Sequence, residues 1–139
     1  VAGNLQKDYI TVDDNAVIIT QGSDSIGIAE ASWIQIGHLT SYTATIYGSE
    51  GTLVIEPREN GRLLLATREN GDGIEVEVPP LPPEQQNATA YFLHCIVNDQ
   101  PVEGLCCPKI GRDTQEILEA GLISSIDHTA ISLPLPMSY

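Results

Sequence analysis

The densest run of side chains able to recognise a small polar molecule is Trp33-Ile34-Gln35-Ile36-Gly37-His38-Leu39-Thr40-Ser41-Tyr42. It places Trp, Gln, His, Thr and Tyr around a strand-loop-strand connection. A carbohydrate or polyol needs donors and acceptors for its hydroxyls and a flat apolar wall, and Trp33, Gln35, His38 and Thr40 supply both kinds of group. The competing reading makes Trp33 a core residue, packs Tyr42 across strands and leaves His38 in a solvated loop.

Other chemistry is weaker. Cys95, Cys106, Cys107, His94 and His128 are metal-ligand types. Adjacent cysteines, however, lack the two-residue spacer of structural zinc sites, and the histidines fit no paired spacing. No metal site is therefore expected. Cys95 reads as a small core residue on an apolar helix stripe. Cys107, just before Pro108, sits where a helix begins and where a thiolate would be favoured, but no basic partner is identifiable. Asp13-Asp14-Asn15 and Asn70-Gly71-Asp72-Gly73 lack the alternating acids and distant Glu of a calcium loop. Asn87-Ala88-Thr89 matches a glycosylation acceptor but falls on an expected helix. No dinucleotide Gly-x-Gly-x-x-Gly, phosphate loop, nucleophile elbow or His-Glu-x-x-His helix is present. The chain by itself is expected to bind neither NAD nor a metal, and no catalytic residue is assigned.

Composition narrows the partners. Six Lys and Arg against 19 Asp and Glu give a net charge of −13, a field that repels phosphate backbones and anionic headgroups. Nucleic acid and membranes are expected to be poor partners. No apolar run reaches the roughly 18 residues of a membrane span, and the start at Val1 shows no signal-peptide pattern. Three cysteines, two of them adjacent, fit a reducing compartment rather than a paired scaffold. A cytoplasmic location is the expectation. With 139 residues, 42% of them hydrophobic, one domain with a sizeable core is expected.

The elements that would position these groups are strands first and helices after. Strands are expected at Asn15 to Thr20 and Ser25 to Ile36. In the second of these, Ile26, Ile28, Glu30, Ser32 and Ile34 share one face while Ala29, Ala31 and Trp33 share the other. Tyr42 to Tyr47 and Thr52 to Ile55 flank Gly48-Ser49-Glu50-Gly51, whose glycines would supply positive φ for a hairpin. Asn60-Gly61 and Asn70-Gly71-Asp72-Gly73 mark further hairpins around Arg62 to Thr67 and Ile74 to Val78.

Pro79, Pro80, Pro82 and Pro83 then stop the sheet region. From Glu84 a helix should bury Ala88, Tyr91, Phe92, Cys95 and Ile96. Another should begin near Pro108 and bury Ile110, Ile117, Leu118, Gly121 and Leu122. Ile131 to Leu135 reads as a closing strand. The expected architecture is α+β: an open, mainly antiparallel sheet with helices packed on one face. Its other face, too apolar for water, calls for a partner subunit or another domain.

The order of four stretches resembles the C-terminal domain of the glucose-fructose oxidoreductase and inositol dehydrogenase superfamily. They are Asp13-Asp14-Asn15-Ala16-Val17-Ile18, Gly27-Ile28-Ala29-Glu30-Ala31-Ser32-Trp33, Ile46-Tyr47-Gly48-Ser49-Glu50-Gly51-Thr52-Leu53 and Gly111-Arg112-Asp113-Thr114-Gln115-Glu116-Ile117-Leu118-Glu119-Ala120, followed by Ile131-Ser132-Leu133-Pro134-Leu135. The resemblance covers nearly the whole chain. It implies a glyceraldehyde-3-phosphate dehydrogenase-like C-terminal domain over residues 1–139, cut from a longer NAD- or NADP-dependent sugar or polyol dehydrogenase.

The N-terminal dinucleotide-binding domain and the family's Glu-Lys-Pro and Asp-x-x-x-His motifs are missing from this chain, so the fragment alone is expected to be inactive. By position, the resemblance puts Trp33, Gln35, His38 and Thr40 beside the substrate, and it implies a homo-oligomer formed through the open sheet face. The alternative is a non-enzymatic, acidic, homodimeric binding or scaffold module.

Overall fold

A computed structural model describes residues 1–6, 9–37, 42–56 and 61–136. They form two compact units, residues 1–35 with 84–139 and residues 36–83. The mixed α+β expectation holds at that level. The strands do not join one meander: among the described residues they make two separate antiparallel sheets, of three and four strands.

The first unit holds β1 (Ala2–Gly3), β2 (Asn15–Gln21) and β3 (Ile26–Ser32), in that order across the sheet. The run Asn-Ala-Val-Ile-Ile-Thr-Gln is rich in β-branched residues, which suit a pleated surface. Its register with β3 sets Ala16 opposite Ala31, Ile18 opposite Ala29 and Ile19 opposite Ile28. The expected continuation of β3 to Ile36 fails for a simple reason. Ser32 already pairs with Asn15, the first residue of β2, so the ladder has run out of partner. The next amide, Trp33 N–H, donates instead to the Asp14 carbonyl at 2.7 Å.

The unit also carries α1 (Ala88–Val97) and α2 (Pro108–Asp127). The chain from Glu84 is not yet α-helical: residues Pro83–Gln85 make a 3₁₀ turn, and α1 starts after Asn87, whose side chain accepts the Ala90 N–H at 2.9 Å. The glycosylation-like Asn87 thus acts as an N-cap. Pro108 opens α2, where its missing N–H costs nothing. A break lies between the helices, where Asp99 and Gly104 take positive φ.

α2 meets the sheet through Gly121. A Cβ there would come 3.0 Å from Ile18 Cδ1, so the small residue lets helix and strand approach. The inward stripe of α2 runs through Ile117, Ala120, Gly121 and Ser124, at helical spacing. Ile110, Leu118 and Leu122, expected inside, lie on the exposed flank. On α1 the inward positions are Tyr91 and Cys95, and the expected core residues Phe92 and Ile96 are half exposed. The described residues likewise do not form the sizeable core expected from composition. Among the described residues, the buried hydrophobic side chains are Cys95 and Ala120.

α2 approaches the sheet where Gly121 faces Ile18 of β2, and every residue of β3 is exposed. The closing strand expected at Ile131 to Leu135 is irregular chain, and the Leu135 N–H donates to Glu116 Oε1 at 2.7 Å rather than to a strand neighbour.

The second unit is a meander of β4 (Ala44–Tyr47), β5 (Gly51–Glu56), β6 (Arg62–Thr67) and β7 (Ile74–Glu75). The Asn70 to Gly73 hairpin forms as expected: the Asn70 carbonyl accepts the Gly73 and Thr67 N–H groups, and Gly73 takes φ +82°. The Gly48 to Gly51 turn closes by Gly48 N–H donating to the Gly51 carbonyl at 2.8 Å. The expected positive φ is absent at both glycines. Gly51 is needed for space instead, since a Cβ there would lie 2.5 Å from the Ala66 carbonyl oxygen. β7 is shorter than expected, although Val76 N–H still donates to the Leu63 carbonyl. The Asn of the Asn60-Gly61 signal lies outside the described residues.

Candidate functional site

The site begins with one carboxylate. Asp14, only 5% exposed, sits between β1 and β2. Its Oδ1 accepts the Leu5 N–H and its Oδ2 the Gln6 N–H, each at 2.9 Å, and Oδ1 also accepts Asn15 Nδ2–H at 2.6 Å. These donors, Leu5 first, hold its carboxyl below the usual carboxylate range, and burial opposes them. The main chain of Asp14 is equally committed: its N–H donates to the Gly3 carbonyl and its carbonyl takes the Trp33 N–H. One residue therefore fixes the loop before it, the start of β2 and the end of β3.

Beside this knot lies an open cavity of about 410 Å³. Ile10, Val12 and Trp33 make its apolar side, and Asp13, Asn15 and Ser32 bring polar groups to it. Its size falls within the usual range for small-molecule sites. Asn15 and Ser32 are directly opposed across the ladder, and Ser32 Oγ donates to Asn15 Oδ1 at 2.7 Å. Trp33 is 86% exposed, so its indole is a free wall rather than part of a core.

The four residues singled out from the sequence fare differently. Trp33 lines the cavity. Gln35 is exposed and outside the lining, while His38 and Thr40 lie outside the described residues. Sequence reasoning missed Asn15 and Ser32 as site residues. The sequence carried no signal for them, since they become cross-strand neighbours only once the register of β2 and β3 is known.

A second cavity, of about 370 Å³, lies in the other unit against Ile46, Leu53 and Leu65 and the Gly48 to Gly51 turn. Its exposed surface is chiefly apolar, with Glu50 as the one charged residue. It offers little for orienting a polar molecule. No group of three potential ligands capable of holding a metal ion occurs among the described residues, and no helix among them is long and apolar enough to cross a membrane.

No family model matches the chain, and neither a curated protein nor a solved structure matches it significantly.

Proposed function

We propose that this chain is the substrate-binding and assembly domain, C-terminal in its parent, of an NAD- or NADP-dependent oxidoreductase of the glucose-fructose oxidoreductase and inositol dehydrogenase superfamily, acting on a sugar or polyol. The observation that carries the substrate part is the cavity in which the exposed Trp33 indole stands beside Asn15, Ser32 and Asp13. An apolar plate beside hydrogen-bonding groups matches a molecule whose C–H face is flat and whose edge is hydroxylated.

The dinucleotide belongs to another domain in this reading. Both sheets among the described residues are antiparallel, and α1 and α2 start at Ala88 and Pro108 without a strand and glycine turn leading into them. The described residues do not fit a dinucleotide pyrophosphate. This chain's own residues would bind and orient the substrate.

Assembly rests on the sheet face opposite α2. There Val17, Ile19, Ile26 and Ile28 are exposed, the three isoleucines by 68%, 71% and 71%. Covering a buried isoleucine is worth about 1.5–3 kcal/mol, so this face favours a second copy.

The deciding experiment is kinetic. In the full-length parent enzyme, Trp33→Ala is expected to raise the KM for a polyol substrate at least tenfold and leave the Kd for NAD or NADP unchanged. Unchanged polyol kinetics would refute the substrate assignment. Light scattering addresses assembly, where the chain is expected as a dimer or higher and Ile28→Lys as a smaller species. A non-enzymatic homodimeric scaffold would show the same assembly, with no oxidoreductase activity in its parent.

A further inference from the structure

The hydrogen-bond chain across the cavity floor has a fixed direction. The oxygens of Asp14 take two backbone N–H groups, which only acceptors can do. An ionised carboxylate has no hydrogen to give, so the Asn15 atom 2.6 Å away must be its amide nitrogen. That orientation turns Asn15 Oδ1 toward Ser32. An amide oxygen also has no hydrogen to give, so the Ser32 hydroxyl must donate across the 2.7 Å contact. The Ser32 proton is thereby spent inside the protein, and its oxygen meets the cavity with lone pairs alone.

We infer that Ser32 Oγ is a specificity-determining acceptor that selects a ligand hydroxyl able to donate, and that a vicinal diol is the unit this floor recognises. The inference rests on the polyol reading above and narrows it. Asn15 retains a second amide hydrogen, so the floor places one acceptor and one donor on adjacent strands. A diol answers both, donating from one oxygen and accepting at its neighbour. A group with lone pairs only, such as a ketone or a fluorine, would face the Ser32 lone pairs and be disfavoured.

Trp33, the sole tryptophan of the chain, lines the same cavity and reports binding by its emission. The 139-residue chain is titrated with xylitol, sorbitol, glucose and myo-inositol, then with the singly fluorinated analogues of whichever binds most tightly. Fluorine is close to hydroxyl in size and cannot donate. At one carbon, fluorination is expected to weaken binding at least tenfold. Ser32→Ala should erase that difference and Ser32→Thr should keep it.

If every fluorinated analogue binds within twofold of its parent, or if Ser32→Ala preserves the discrimination, the inference is wrong while the polyol site stands. If none of the four compounds alters Trp33 emission up to roughly 0.1 M, the sugar or polyol reading and the inference fall together.

Discussion

Ser32 Oγ stands 2.7 Å from Asn15 Oδ1, each residue opposite the other in the β2–β3 ladder, and Asn15 in turn donates to the buried Asp14. Side chains on two strands and the backbone of the loop at Leu5 and Gln6 are thus tied to a single carboxylate. Its removal should be felt at all three places.

Asp14→Asn is expected to lower the Tm by several degrees, because one of the carboxylate oxygens that accept the Leu5 and Gln6 N–H groups becomes a donor facing a donor. The pH dependence follows from the lowered pKa of Asp14. The folded state then binds its proton less readily than the unfolded state. The contribution is fully present above the ordinary carboxylate value of ~4 and is lost as pH falls through the lower folded value. Thermal melts from neutral pH down to about pH 2 should show a steeper acid loss in the parent sequence than in Asp14→Asn. Parallel curves would contradict the role given to the carboxylate.

Gly51→Ala sets a Cβ 2.5 Å from the Ala66 carbonyl oxygen, a backbone atom that cannot step aside. A loss of about 1–3 kcal/mol is expected from urea midpoints. Gly71→Ala, where a Cβ would meet nothing within 4 Å, serves as the control and should stay within about 0.5 kcal/mol of the parent.

The two glycines of α2 should respond in opposite directions. Gly111 has open space around its Cβ position, so Gly111→Ala should stabilise by about 0.5–1 kcal/mol through helix propensity. Gly121→Val drives a branched side chain against Ile18, whose Cδ1 would lie only 3.0 Å from the first added carbon, and should destabilise. Equal effects at both positions would mean that α2 does not pack on β2 at Gly121.

Asn87→Ala removes the acceptor for the Ala90 N–H and should cost about 1 kcal/mol, with Asn87→Asp retaining most of the stability. Circular dichroism melts of the two variants check the difference. Indistinguishable variants would count against the cap.

Much of the local structure was legible in residue order. Pro108 and the periodic residues after it marked α2, the Asn70 to Gly73 turn marked its hairpin, and Cys95 was assigned correctly to the interior. These features depend on neighbours a few positions away, through ring geometry, φ preference and helical spacing. Of the four residues singled out from the sequence, Trp33 lines the cavity, Gln35 does not, and His38 and Thr40 lie outside the described residues. Asn15 and Ser32 carry no chemical signature in the chain, being 17 positions apart, and acquire one only from register.

The sequence alone determined the acidic charge, the alternation that gives each strand its faces and the places of the two helices and most strands, though not their ends. Tertiary structure decided that the strands part into two sheets and that the inward stripe of α2 centres on Ala120 and Gly121 rather than on its larger residues. It also decided that Asp14 orients a cavity floor. The physical reason is range: backbone preference acts within a few residues, whereas ladder partners, close approach at a glycine and the direction of a hydrogen-bond chain exist only once distant segments have met.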